Sequence, residues 1–276
     1  VFAYGQEINS LTSSIAKMNL FLHGVSNFEI VNDDTLSRPA FIKNGELQQF
    51  DMVLANPPYS ISQWDRAAFE SDKYGRNFLG VPPQSRADYA FIQHILKSMD
   101  EKTGRCAILL PHGVLFRNEE QSIREKLVKS DLLECIIGIG KNLFFNSPMD
   151  ACIMICRSNK PLNRRGKVLF IDAKDEVTRK NSFSYLEDKH IKKISNAYRT
   201  FADETEFAKV VTISEIQKYN SKLSVALYTS NSNYNVEEET DESTLGDNYG
   251  DWMASSDELH EELNKILEVI GGPKDE

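Results

Sequence analysis

Pro57 and Pro58 follow directly on an apolar run, Phe50 to Ala55, and forbid it to continue as strand or helix. The run carries one acid, Asp51, and its length and composition predict a buried parallel strand. Asn56-Pro57-Pro58-Tyr59 then sits in a stiff extended turn at the carboxyl end of that strand. In open α/β sheets, ligands bind there. The tetrapeptide has a chemical use. The Asn56 side-chain carbonyl and the Pro57 main-chain carbonyl are two acceptors held close together. They suit one –NH2 group, each taking one of its hydrogens. Pulling on both localises the nitrogen lone pair that is otherwise delocalised into the neighbouring ring or carbonyl. Tyr59 adds a flat face for a planar group. The bland alternative is a Pro-Pro turn that merely ends a strand.

The chain around this turn alternates strand and helix. Strands are expected at Phe2 to Tyr4, Phe28 to Val31, Arg105 to Leu110, Leu132 to Ile139 and Ala151 to Cys156, and Lys167 to Ile171 would add another. Ile8, Leu11, Ile15, Met18 and Leu22 fall on one helical face that stops at Gly24. Ala90, Phe91, Ile95, Leu96 and Met99 mark a second helix, and Asn118 is expected to cap a third, with Glu119 and Glu120 at its positive end. Lys43 to Glu46 and Asp72 to Arg86 read as loops. This alternation predicts a doubly wound α/β domain over residues 1–229. Helices are further expected at Leu186 to Tyr198 and Ser214 to Tyr219. An acidic linker over 230–255 and a helix over 256–276 follow, the latter with Leu259, Leu263, Ile266, Leu267 and Ile270 on one face.

The net charge of -9 is unevenly spread. From Val236 to Glu276, acidic residues outnumber basic ones fourteen to two. The remainder has 27 acidic and 30 basic residues, a mildly basic body compatible with nucleic acid without requiring it. Lys189, Lys192 and Lys193 form a basic stripe that is either a DNA contact or an ordinary solvated face. Cys106, Cys135, Cys152 and Cys156 lie in apolar stretches without metal-ligand spacing, which predicts buried, reduced thiols in a cytoplasmic protein and no metal site. No apolar run reaches membrane-spanning length, and no basic leader precedes Val1-Phe2-Ala3-Tyr4.

Six blocks carry a resemblance: YGQE at Tyr4–Glu7, AKMNLFLHG at Ala16–Gly24, FDMVLANPPYS at Phe50–Ser60, RADYAFIQHIL at Arg86–Leu96, GRCAILLPHGVLFR at Gly104–Arg117 and FNSPMDACIMI at Phe145–Ile155. In order and spacing, over about the first 200 residues, the chain resembles the modification (M) subunits of type I restriction–modification systems, which are N6-adenine DNA methyltransferases. Asn-Pro-Pro-Tyr alone also occurs in methyltransferases acting on protein glutamine amides. The Gly-Gln-Glu block and the Arg86–Leu96 block narrow the match to the DNA adenine enzymes.

The resemblance implies a Rossmann-like fold and S-adenosylmethionine as methyl donor. It makes Asn56, Pro57, Pro58 and Tyr59 the catalytic element, gripping N6 of an adenine flipped out of double-stranded DNA. Tyr59 would stack on one face of the base. Phe144 would stack on the other, with Phe145 competing for that role, and core packing is the bland reading of either. Glu7, at the end of a strand, would hold the cofactor's ribose hydroxyls, unless it is only an acid at a helix N-terminus. Asp34 would face the cofactor's adenine, unless it is a turn aspartate, a role Asp33 could equally fill. Asn56 would also touch the cofactor. The implied partners are a specificity subunit and a restriction subunit. Family members carry a first strand and a turn of the type Asp-x-x-x-Gly-x-Gly ahead of the YGQE strand, with that first strand central in the sheet. Neither Gly138-Ile139-Gly140 nor Gly271-Gly272 substitutes for that turn. The expectation is therefore an N-terminally truncated chain, or half of a split enzyme completed by another segment, and inactive alone. The alternatives are a non-catalytic assembly piece and a protein-glutamine or RNA methyltransferase.

Overall fold

A computed structural model describes residues 1–144, 150–180 and 183–230. The expected linker and C-terminal helix, and Phe145, lie outside the described residues. The elements are β1 (Ala3–Gln6), α1 (Ser10–Leu22), β2 (Phe28–Val31), β3 (Ile42–Lys43), β4 (Glu46–Leu47), β5 (Met52–Ala55), α2 (Arg66–Glu70), α3 (Asp88–Lys97) and β6 (Arg105–Pro111). They continue with α4 (Gln121–Lys129), β7 (Leu133–Ile139), β8 (Ala151–Arg157), β9 (Lys167–Ala173), β10 (Thr178–Lys180), β11 (Phe183–Tyr185), α5 (Asp188–Thr200), β12 (Ala208–Thr212), α6 (Ile213–Lys218) and α7 (Val225–Thr229).

The main sheet has six strands in the order β12-β9-β7-β8-β6-β5. β5 and β6 pair in parallel, as do β7 and β9, while β8 and β12 run against their neighbours. Every residue of β7 is buried, as its run of β-branched and small residues demands of a strand covered on both faces. Alternation then sorts the neighbouring strands. Ile108, Leu110, Ile136, Met154 and Phe170 point to one face, under Ile92 and Leu96 of α3, Leu127 of α4, Ile216 of α6 and Val225 of α7. Ile137, Ile139, Leu169 and Ile171 point to the other, under Ala197, Ile194 and Tyr198 of α5. Helices on both faces of a mixed sheet agree with the α/β expectation, although three of its five strand pairings are antiparallel.

The structure corrects or narrows four local expectations. Asn118 does not cap α4: Asn118–Glu120 forms a short 3-10 turn, and no side-chain capping bond opens the helix. Lys43–Glu46 is not a plain loop but the tip of a hairpin, with Asn44 and Gly45 both at positive φ (54° and 83°), the backbone that a tight two-residue turn needs. The lysine stripe on α5 is partly neutralised, since Lys189 pairs with Glu187 and Lys193 with Glu176. The fourth concerns the strand before the two prolines. It pairs in parallel, but only with β6, and Met52 and Leu54 are 51% and 73% exposed.

β1 and β2 form a separate two-stranded parallel sheet that shares no ladder with β5. The Asn9 side chain caps α1 by accepting from the Thr12 N–H at 3.0 Å, and Gly24 ends it at φ 72°. The apolar face read from the sequence is present but stands in the open: Ile8, Leu11, Ile15, Met18 and Leu22 are all more than half exposed. Helical spacing was legible here; burial was not. Aromatic and apolar contacts help tie this small sheet to the rest. The Tyr4 ring lies 5.2 Å from that of Phe50 and 5.1 Å from that of Phe41. Leu36, beyond β2, is buried with Phe69, Ala87 and Ala90, against which Ile61 and Trp64 also pack.

Candidate active site

Asn56 to Tyr59 occupy irregular backbone at the carboxyl end of β5, where the two prolines were expected to place them. Asn56 is exposed, and its side chain makes no hydrogen bond with the described residues, so its amide is free for a ligand. Tyr59 is half-buried. Burial, with Cys152 and Asp88 nearby, pushes its phenol up to about 12, so it stays neutral and offers an uncharged face near pH 7.

The residue after Tyr59 fixes the loop. Ser60 has φ 49°, a left-handed conformation uncommon outside glycine. Its N–H donates to Asp88 Oδ1 at 2.8 Å and its hydroxyl to Asp88 Oδ2 at 3.2 Å. Arg117 Nη1 donates to the same Asp88 Oδ2 at 3.0 Å, and Nη2 donates to Ser60 Oγ at 3.2 Å. Asp88 is the first residue of α3, where a carboxylate also meets the positive end of the helix. On the other side of Arg117, Glu120 is fully buried, with a carboxylate oxygen 3.5 Å from Nη1. Burial, helped by Asp88 and opposed by Arg117, Arg86 and Arg124, pushes the Glu120 carboxyl up to about 7.

A raised folded-state value makes stability depend on pH in a definite sense. The contribution is fully present below the ordinary value of 4.5 and is lost as pH rises through about 7. Glu120→Gln removes this titration. At pH 8 it should be more stable than the parent by roughly 1–3 kcal/mol, and near pH 4.5 nearly equal. Denaturant melts at the two pH values are the check, and equal differences at both would contradict the assignment.

Glu7 directly follows β1 and Asp34 lies three residues beyond β2, so both stand at the carboxyl end of the small sheet. Glu7 Oε1 accepts from the Asn9 N–H at 2.7 Å, at the start of α1, and Oε2 makes no hydrogen bond with the described residues. The helix-terminal reading of Glu7 is thus realised, with one oxygen left over. Asp34 Oδ1 accepts from the Leu36 N–H at 2.9 Å and Oδ2 from the Ser37 hydroxyl at 2.7 Å, which is the work of a turn aspartate. Asp33 is drawn off into an ion pair with Arg38, which holds its carboxyl below the usual range. Gly138 lies within β7, and a Cβ on Gly140 would strike the Lys174 carbonyl, so neither belongs to a ligand-binding turn.

Sequence reading missed a second clamp. Arg76 is 2% exposed and donates to the carbonyls of Thr35 (3.0 Å) and Leu36 (2.8 Å), just past Asp34. Asp72 holds it through Nε and Nη2. Burial works to raise the Asp72 carboxyl, but hydrogen bonds from Arg76 outweigh it and leave it below the usual range. His94 is pushed down to about 3 by burial and by Arg76, so it is neutral and its Nδ1 faces Arg76 at 3.4 Å as an acceptor. Only the arginine inside an otherwise loop-like stretch hinted at this in the sequence.

Phe144 is half-buried and packs against the core cluster around Ile137 and Ile139. The core-packing reading is therefore the one its observed contacts express. All four cysteines are buried and free. Among the described residues, no group of histidine, cysteine and acidic side chains could hold a metal ion, and no helix is long and apolar enough to cross a membrane.

Residues 1–238 match the family model described as N-6 DNA Methylase. The MjaVIII methylase subunit of a type I restriction enzyme from Methanocaldococcus jannaschii is 34% identical over 97% of this chain and 46% of its own length. The HindI methylase subunit of Haemophilus influenzae is 30% identical over 98% of this chain and 62% of its own length. In three dimensions, the methyltransferase subunit of a type I restriction-modification system from Streptococcus thermophilus superposes with a TM-score of 0.77 at 36% identity, covering 83% of this chain and 49% of that one. The chain thus spans about half the length of the curated relatives it matches.

Proposed function

Because the chain belongs to the N-6 DNA methylase family and groups with the methylase subunits of type I restriction enzymes, we propose that it is the part of such a subunit that presents the target adenine for methylation at N6. The observation that carries this reading is the free Asn56 amide beside the Pro57 carbonyl and the neutral Tyr59 ring at the end of β5. S-adenosylmethionine, when bound, supplies an electrophilic methyl group. The chain's own residues do the rest. Asn56 and the Pro57 carbonyl accept the two N6 hydrogens and localise the lone pair. Tyr59 supports the flipped base from one face, and Phe144, once turned from its core contacts, would close the other. No strong base is required, since a nitrogen carrying a new bond and a positive charge releases its proton readily. Glu7 and Asp34 are the acceptors suited to the cofactor's ribose hydroxyls and adenine amino group.

This reading includes a further strand between β1 and β5, from elsewhere in the polypeptide or from a second chain. Among the described residues both strands have an unpaired edge, and Met52, Leu54 and the apolar face of α1 are exposed. A specificity subunit and a restriction subunit are the proposed partners, double-stranded DNA the substrate, and the cytoplasm, where buried thiols stay reduced, the compartment. The direct test gives the complete subunit, with its specificity subunit, labelled S-adenosylmethionine and duplex DNA. N6-methyladenine in the digested DNA is expected. Label in protein or RNA instead would replace the reading.

Glu7 offers a separate check. Glu7→Gln keeps an oxygen for the Asn9 N–H but loses the charge. In the complete subunit it should weaken S-adenosylmethionine binding by about 1.5–3 kcal/mol, as expected for loss of a charged acceptor. An unchanged dissociation constant in calorimetry would leave Glu7 as a helix-terminal acid only.

A further inference from the structure

We propose that Asp88 and Arg117 are positioning residues for methyl transfer, locking Ser60 so that Asn56, Pro57 and Tyr59 meet the base in one fixed geometry; this rests on the reading of Asn56–Tyr59 given above.

The lock joins three separate pieces of chain. Ser60 comes from the loop after β5, Asp88 from the start of α3, and Arg117 from the segment after β6. Asp88 accepts from Ser60 with both oxygens and from Arg117 with one, while 1% exposed. A buried carboxylate used in this way is a rigid reference point, because moving any partner leaves a charge poorly paired. Arg117 is itself seated from behind. Its carbonyl accepts from buried Arg124 at 2.9 Å. Its guanidinium lies across Gly113, where a Cβ would come within 2.5 Å of Arg117 Nε, so glycine is what lets it lie there. Ser60 holds a strained left-handed backbone and follows Tyr59 directly. Two prolines leave the preceding residues little freedom of their own, so the direction of the tetrapeptide is set at its ends, by β5 and by Ser60. Glu120, the second carboxylate on Arg117, keeps the guanidinium between two acids.

The test compares the complete subunit, with its specificity subunit, against Asp88→Asn, Arg117→Ala, Arg117→Lys and Gly113→Ala. The last leaves both lock residues in place and displaces the guanidinium. In Asp88→Asn, Arg117→Ala and Gly113→Ala, kcat should fall about tenfold to a hundredfold, the size expected of a small misplacement of reacting groups. KM for DNA and the dissociation constant for S-adenosylmethionine should stay within about threefold, since the uniform part of binding is untouched. Arg117→Lys should recover part of the loss. Independently of activity, hydrogen exchange of the peptide from Asn56 to Trp64 should quicken in Asp88→Asn while β7 and β9 stay protected. If the parent methylates adenine and these variants keep kcat within twofold, the lock is not a positioning device. If exchange of that peptide is unchanged in folded Asp88→Asn, the lock itself is refuted, whatever the parent methylates. The exchange change in Asp88→Asn together with no adenine methylation by the parent would overturn the positioning role along with the functional reading.

Discussion

Replacing Asn56 with alanine should lower adenine methylation by the complete subunit about 10²- to 10³-fold, the scale of losing one directly acting polar group. The removed atom is an acceptor aimed at the nitrogen that must become nucleophilic, so the loss falls on the chemical step. S-adenosylmethionine binding should change far less than turnover, because Glu7 and Asp34, at the ends of a different sheet, carry the other proposed cofactor contacts. Asn56 makes no hydrogen bond within the described fold, so its removal should leave the melting temperature almost unmoved. Activity lost at constant stability, with far less loss of cofactor affinity, is the expected pattern. Wild-type turnover in Asn56→Ala would remove the amide from the mechanism.

Residues 1–276 expressed alone should bind S-adenosylmethionine weakly or not at all, and the complete subunit should bind it in the micromolar range. The argument is geometric. Neighbouring strands lie about 4.8 Å apart, so a strand seated between β1 and β5 would hold them at about twice that distance. Without it, their facing backbone groups lack partners, and each such group that becomes buried costs roughly 1–3 kcal/mol. Apolar side chains also stand in the open: Leu54, Ile8, Leu11, Met18 and Leu22 are between 63% and 73% exposed, which favours association. The isolated chain should therefore bind hydrophobic dyes and aggregate on warming, and adding the complementing segment should suppress both and restore binding. Micromolar affinity of residues 1–276 in calorimetry, with nothing added, would refute the inserted strand.

The elements themselves were open to reading from the chain because they rest on local rules. Phe28–Val31 is a strand as expected, and the helix after Asn9 runs to Gly24 with the spacing its apolar residues predict. The two prolines put Asn56 at the end of a strand for a reason confined to a few bonds, the fixed φ and missing N–H of proline. Helix and strand periods, cap chemistry and proline stops are properties of a dozen residues at a time.

Burial and electrostatics are not. Leu54 and Ile15 look like core residues in the chain and stand in the open in the fold, because burial depends on which distant element arrives beside them. Glu120 looked like a solvated acid favouring a helix start, yet it is buried against Arg117 and titrates near neutrality, since segments separated by 57 residues, Ser60 and Arg117, meet there. The proposed grip on the ligand was written in four consecutive residues. The contacts of Ser60 with Asp88 and Arg117, and of Arg76 with the carbonyls just past Asp34, came from tertiary packing, because a buried charge takes its partner from whatever the fold brings within hydrogen-bonding distance.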